Sequence, residues 1–152
     1  RNRHVIDFGD RARFAFNKST LAAEQEIVLR RFVPELIGLA DSPLGRKVMK
    51  RIVVEGYADR TGSYLSNLNL SLQRSQRVLC AMFATRGDSL LNDRQKASVR
   101  DLFLVGGYSF NASKASDEES RRVEMRLEFL GMGEERAAQE AAPGSFGECA
   151  LP

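Results

Sequence analysis

Apolar and polar residues alternate most cleanly near the end of the chain. Val123, Met125, Leu127 and Phe129 interleave there with Arg122, Glu124, Arg126 and Glu128. A period of two predicts a strand over 121–129 with one buried face. The other face is charged and at most partly covered, and its opposite signs can pair across strands. A shorter alternation predicts another strand over 11–16, with Ala12, Phe14 and Phe16 opposite Arg11 and Arg13. The β-branched run Ile52-Val53-Val54 stops at Gly56, so a strand over 50–56 should lie inside a sheet, covered on both faces. Leu102 to Val105, stopped by Gly106-Gly107, predicts a further strand.

Helical spacing appears between these strands. Leu21, Val28, Phe32, Leu36 and Leu39 form a stripe over about 21–39. Ser19 or Thr20 is placed to cap that helix, and Pro34 to kink or break it. Gly38 and the segment 41–45 end it. A helix over about 66–84 carries Leu70, Val78, Leu79, Met82 and Phe83, and Arg86-Gly87-Asp88 ends it. A short helix fits between Ser89 and Ser98, and 109–120 reads as a loop. Together these elements predict an α+β fold: a βαβαβ(β)-type mixed sheet with helices packed on one face. The expected organisation is a linker at 1–10, a domain at 11–130 and a tail at 131–152. That tail has no usable period and is ordered only if something such as Cys149 pins it.

Bulk composition changes this picture little. A chain of 152 residues buries roughly 70% of its unfolded surface and needs no metal or disulfide to fold. Apolar residues make up 43% and charged residues 28%, ordinary for a globular protein. A net charge of +3 is too small to argue for nucleic acid, and Arg30-Arg31 and Arg46-Lys47 to Lys50-Arg51 read as solvated faces. No apolar run is long enough to span a membrane. The chain opens on Arg1, so a targeting or membrane-anchoring segment is expected upstream. Cys80 and Cys149 leave two states open, a disulfide tying the tail to a helix or two unpaired thiols.

The chemistry concentrates at 54–74. The buried strand runs into Gly56-Tyr57-Ala58-Asp59-Arg60-Thr61-Gly62, a glycine-bracketed turn that holds a carboxylate. The helix that follows carries the amide of Asn67, Leu70, the hydroxyl of Ser71 and the guanidinium of Arg74. Asp59 and Arg74 suit a small zwitterion, which offers an ammonium to the first and a carboxylate to the second. The planar fork of arginine bonds a carboxylate bidentately, which lysine cannot do. Taken singly, Asp59 reads as a turn or cap residue and Arg74 as a solvated helix arginine. Glu55 and Asp59 stand too close in the chain for the opposed carboxyls of a glycosidase. His4 is the only histidine and sits near the end, Ser71 and Ser75 have no nearby base, and no metal-ligand cluster exists. No enzymatic activity and no cofactor are expected.

With these residues in view, the chain resembles the OmpA-like peptidoglycan-binding domain family of outer-membrane anchors, Pal-type lipoproteins and MotB-type stator subunits. Four parts match in order over about 11–129. They are Phe14-Ala15-Phe16-Asn17-Lys18; Gly56-Tyr57-Ala58-Asp59-Arg60-Thr61-Gly62; Asn67, Leu70-Ser71 and Arg74; and Arg121-Arg122-Val123-Glu124. The family's glycine- and proline-containing stretch after the third strand is replaced by Gly106-Gly107-Tyr108-Ser109-Phe110-Asn111, which points to a divergent, stator-like branch. The resemblance implies an OmpA-like two-layer sandwich that binds peptidoglycan through the diaminopimelate of its stem peptide. Asp59 takes the ammonium and Arg74 the carboxylate. Asn67 supports the site, with Thr61 in the same loop. Leu70 and Ser71 offer main-chain contacts at the helix start. Asn17, Arg121 and Arg122 border the pocket. The resemblance further implies a periplasmic, membrane-tethered homodimer whose partner is peptidoglycan and not nucleic acid.

Overall fold

The computed structural model describes residues 5–7, 14–15, 18–58, 61–108, 121–138, 140–141 and 143–151. In chain order the elements are β1 (Val5–Asp7), α1 (Ala23–Asp41), α2 (Pro43–Val48), β2 (Met49–Tyr57), α3 (Tyr64–Met82), α4 (Asp93–Leu102), β3 (Phe103–Tyr108) and β4 (Val123–Phe129). The strands form one mixed sheet in the order β1-β4-β2-β3. β2 runs parallel to β3 and antiparallel to β4, and β4 pairs antiparallel with β1. The helices lie on one face, which gives the α+β two-layer arrangement expected from the pattern.

The core lies between those layers. Ile52, Val54, Val123 and Met125 from the sheet meet Leu29, Val33 and Leu36 of α1 and Val78 and Met82 of α3. Polar termini fix the helix ends. The Ser42 Oγ accepts the Gly45 N–H at 3.0 Å, with Pro43 supplying the preset first turn of α2. The Ser63 Oγ accepts the Ser66 N–H at the start of α3. Asn92 and Gln95 exchange hydrogen bonds at the start of α4.

Several boundaries differ from the sequence reading. The edge strand is Val5–Asp7, inside the expected linker. Of the expected strand 11–16, only Phe14 and Ala15 lie among the described residues, and neither is in a strand. Helix α1 starts at Ala23 behind Ala22, whose N–H bonds the Gln25 side chain, so neither Ser19 nor Thr20 is the cap. The helix continues through Pro34. Its buried stripe is Leu29, Val33, Leu36, Ile37 and Ala40, and Leu39 faces outward. Ser42-Pro43 starts a second helix instead of a turn. The short helix expected at 89–98 is α4, shifted toward the C-terminus to begin after Asn92.

Gly56 sets how closely α3 packs on β2. A Cβ there would lie 2.1 Å from the Ser71 carbonyl oxygen and 3.0 Å from the Ser75 nitrogen. Both are backbone atoms that cannot swing away. Gly56→Ala is therefore expected to cost about 2 kcal/mol through forced separation of helix and strand, measured as a lower denaturant midpoint with an unchanged slope.

Candidate functional site

β2 delivers the chain to the site with Tyr57 and Ala58 buried. Asp59 and Arg60 lie outside the described residues. The chain resumes at Thr61, which is exposed, and at Gly62, whose φ of +97° belongs to the left-handed region that glycine alone enters without penalty. Ser63 then caps α3. Asn67, Ser71 and Arg74 recur at helical spacing, and all three are buried.

Arg74 is the largest fully buried side chain among the described residues. Its guanidinium donates to three backbone carbonyls: Nη1 to Tyr57 at 2.9 Å, Nε to Lys18 at 2.9 Å and Nη2 to Ala15 at 3.1 Å. The carbon of the same group stands 5.2 Å from the centre of the Phe14 ring. Two neighbours extend this arrangement. The Arg77 Nε donates to the Ser19 carbonyl at 2.7 Å, and the Arg121 Nε to the Phe14 carbonyl at 3.0 Å. Three guanidinium groups thus gather the carbonyls of 14, 15, 18 and 19 against the strand end. Arg74 is therefore not the solvated helix residue that its position alone suggests.

Asn67 is 5% exposed, and its Nδ2 has no hydrogen-bond partner among the described residues. It lies beside the Gly62 turn. Burying an unpaired amide donor is costly. Ser71 donates its hydroxyl to the Leu68 carbonyl at 2.8 Å. Leu70 is half-buried. Because α3 begins at Tyr64, Leu70 and Ser71 lie in its second turn. The free N–H groups of a helix belong to its first four residues, so the expected main-chain contacts at the helix start do not fall on these two. Asn17 lies outside the described residues.

Arg122 belongs to the opposite face of the sheet. Its guanidinium covers the Tyr57 ring at 3.9 Å, and its Nε meets the Glu124 carboxylate at 2.7 Å. The Tyr57 hydroxyl donates to the Glu55 Oε1, while the Glu55 Oε2 accepts from Arg126 at 3.1 Å. Arg126 also bonds Glu128, which pairs with Arg51. This is the cross-strand charge pairing expected of the face. It commits Glu55 to structural partners and away from acid–base work. Burial, then the charges of Glu55 and Glu124, push the Tyr57 phenol far above its ordinary value of 10.0. The folded state therefore keeps that proton when the unfolded chain has lost it. Stability should be full below pH 10 and fall as pH rises beyond it. Alkaline unfolding of Tyr57→Phe should show a shallower decline above pH 10 than the parent.

The basic runs are likewise engaged. Arg30 is buried and donates to the Ala81 and Asp88 carbonyls, Arg46 pairs with Asp41, and Lys50 with Glu134. Sequence reasoning missed Arg30, Arg77 and Arg136 as fixing residues. Arg136 donates to the Ala40 carbonyl at the end of α1, and this helps pin the chain beyond 130. Cys80 and Cys149 are joined as a disulfide. Among the described residues, no cluster of side chains is suited to a metal ion, and no helix is long and apolar enough to cross a membrane.

Comparison with known proteins gives the site a context. The OmpA family pattern matches residues 13–145. The Zorya protein ZorB of Escherichia coli O139:H28 (strain E24377A / ETEC) is 44% identical over 133 residues, covering 86% of this chain and 54% of ZorB. The chain thus spans about half the length of that relative. Two solved structures share the fold. The OmpA-like domain of FopA1 from Francisella tularensis subsp. tularensis SCHU S4 has a TM-score of 0.55 at 22% identity, over 84% of this chain and 75% of that one. The periplasmic domain of Helicobacter pylori MotB (residues 97–256) has a TM-score of 0.55 at 16% identity, over 85% of this chain and 82% of its own.

Proposed function

The chain belongs to the OmpA family, and on that premise we propose that it is a non-catalytic module holding peptidoglycan through the diaminopimelate of the stem peptide. Asp59 takes the ligand ammonium and Arg74 its terminal carboxylate, the latter in exchange for part of the Arg74 hold on the part-buried carbonyls of Ala15 and Lys18. The observation that carries this reading is the Asn67 Nδ2, which has no hydrogen-bond partner among the described residues and is buried beside the Gly62 turn on the same helix as Arg74. A ligand acceptor would relieve the cost of that buried donor. Chain geometry supports the pairing of charges. Arg74 bonds the Tyr57 carbonyl, and Asp59 follows two residues later, within about 7 Å of chain. Thr61, in the exposed turn, and Asn17, on the family resemblance, are assigned to the same binding site. Arg121 acts indirectly, by holding the Phe14 carbonyl.

Each charge-assisted hydrogen bond contributes roughly 1.5–3 kcal/mol net, so a single site binds modestly. Pairing with a second copy and a tether to the membrane raise the joint effect through effective concentration. In the whole protein the module anchors a stator-like complex to the cell wall from the periplasm. Its similarity to ZorB and the shared fold with MotB support that placement.

Sedimentation with purified diaminopimelate-type peptidoglycan tests the proposal. The parent should co-sediment, and Asp59→Ala and Arg74→Lys should each lose at least tenfold while keeping the parent's circular dichroism. Parent-level binding in both variants would refute it.

A further inference from the structure

We propose that residues 143–151 form a thiol-controlled strap, closed over an apolar groove while Cys80 and Cys149 are joined and open once they are reduced. The groove runs between α3, α4 and β3, with Leu79, Phe83, Arg100 and Phe103 on its floor. Pro143, Ser145 and Phe146 of the strap lie over it and line its other side, leaving an open cleft of about 440 Å³ between them.

The strap depends on its covalent end. Upstream, the chain is held by polar contacts. Glu134 pairs with Lys50 at 2.7 Å, Arg136 bonds the Ala40 carbonyl, and Arg100 bonds the carbonyls of Glu140 and Ala141. Beyond Ala141 that pattern stops. Among the described residues, no backbone hydrogen bond joins 143–151 to the body. Among the described residues, the strap's polar and ring contacts with the body are Phe146 against Phe83 at 5.2 Å, the Arg100 guanidinium at 6.0 Å from the Phe146 ring, and Arg77 at 4.0 Å from the Cys149 sulfur. One aromatic pair and two distant cation contacts are weak beside the entropy of ordering nine residues. The disulfide therefore decides whether the strap stays down.

The bond is also placed for exchange. Cys149 is exposed and Cys80 half-buried, so an external thiolate can reach the Cys149 sulfur without unfolding the domain. A dithiol reductant attacks that sulfur, the Cys80–Cys149 bond breaks, and its electron pair leaves on Cys80 as a thiolate, which takes a proton. The second thiol of the reductant then resolves the mixed disulfide. This frees the Cys149 thiol and leaves the reductant oxidised to its own disulfide. Two electrons pass from reductant to protein. The freed strap lifts, and Leu79, Phe83 and Phe103 meet solvent.

The oxidised protein, the same protein held in dithiothreitol, and the double variant Cys80→Ser/Cys149→Ser test this together. Three readouts are needed: fluorescence of an anilinonaphthalene sulfonate probe, chymotryptic cleavage after Phe146, and far-ultraviolet circular dichroism. Reduction and the double variant should each raise probe fluorescence several-fold and open the Phe146 site, with circular dichroism unchanged. Reoxidation should reverse both effects in the parent. Equal probe binding and protease resistance in reduced and oxidised protein would overturn the proposal, because the strap would then hold without its disulfide. Loss of circular dichroism on reduction would also overturn it, because the segment would then be part of the core.

Discussion

Arg74→Ala should lower the unfolding free energy by about 4 kcal/mol, the largest loss expected of any single side chain in this domain. The guanidinium is fully buried and serves the carbonyls of Ala15, Lys18 and Tyr57, two of which lie more than fifty residues away in sequence. Removing it leaves one buried acceptor, the Tyr57 carbonyl, without its donor at roughly 1–3 kcal/mol, and frees the part-buried carbonyls of Ala15 and Lys18, which water can reach at smaller cost. It also opens a cavity against Phe14. Urea unfolding should show the drop as a lower midpoint. Hydrogen exchange should show faster exchange of the Phe14 amide, which bonds the Arg121 carbonyl beside the same clamp. Arg74→Lys should cost about half as much, because an ammonium keeps the charge and reaches some of the acceptors but lacks the fork. Lysine is therefore the informative substitution for binding, since alanine confounds a lost ligand contact with a lost clamp.

The second large effect belongs to the disulfide. Cys80 and Cys149 stand 69 positions apart. Closing a loop of that length in the unfolded chain is worth about 4.4 kcal/mol on the chain-entropy model. The native protein gives part of this back, because a strap freed from Cys80 regains motion that the bond denies it. The expected net loss for Cys149→Ser is about 3 kcal/mol, which for a domain of this size lowers the thermal midpoint by roughly 10 °C. Differential scanning calorimetry of oxidised parent and variant measures it directly. An unchanged midpoint would mean that the bond does not form in the folded protein.

How far the fold could be read in advance depended on the kind of signal. β4 was legible residue by residue, because a strand with one buried face writes its orientation as a period of two. Val123 and Met125 are in the core, and Glu124 and Arg126 are in the charge network. Phe129 falls beyond the core and is exposed. Helix α3 was legible from the spacing of Leu70, Val78, Leu79, Met82 and Phe83, while the structure adds Asn67, Ser71 and Arg74 to its buried face. Helix α1 was not. Phe32, Val33, Leu36, Ile37 and Leu39 spread over nearly half of its circumference, so spacing alone did not fix where in that arc the buried face lies, and it passes through Val33 and Ile37. α2 escaped notice because Ser42-Pro43 serves equally as a turn and as the cap and first residue of a helix. The arginine clamps were illegible for a deeper reason. Their acceptors are main-chain carbonyls, which every residue carries, so nothing in the sequence marks Lys18 or Ala81 as the partner of a distant guanidinium. For the site, the residue types and spacing were readable, while the burial of Arg74 and its hold on 15–18 emerged only from packing.

The most direct measurement compares two soluble stem-peptide fragments, identical except that one carries diaminopimelate where the other carries lysine. Lysine keeps the ammonium meant for Asp59 and lacks the carboxylate meant for Arg74. Calorimetric titration of the oxidised protein should therefore show binding to the diaminopimelate fragment and roughly 10- to 100-fold weaker binding to the lysine fragment, the loss of one charge-assisted contact. Equal affinity for the two, or binding to neither, would contradict a pocket built around paired opposite charges.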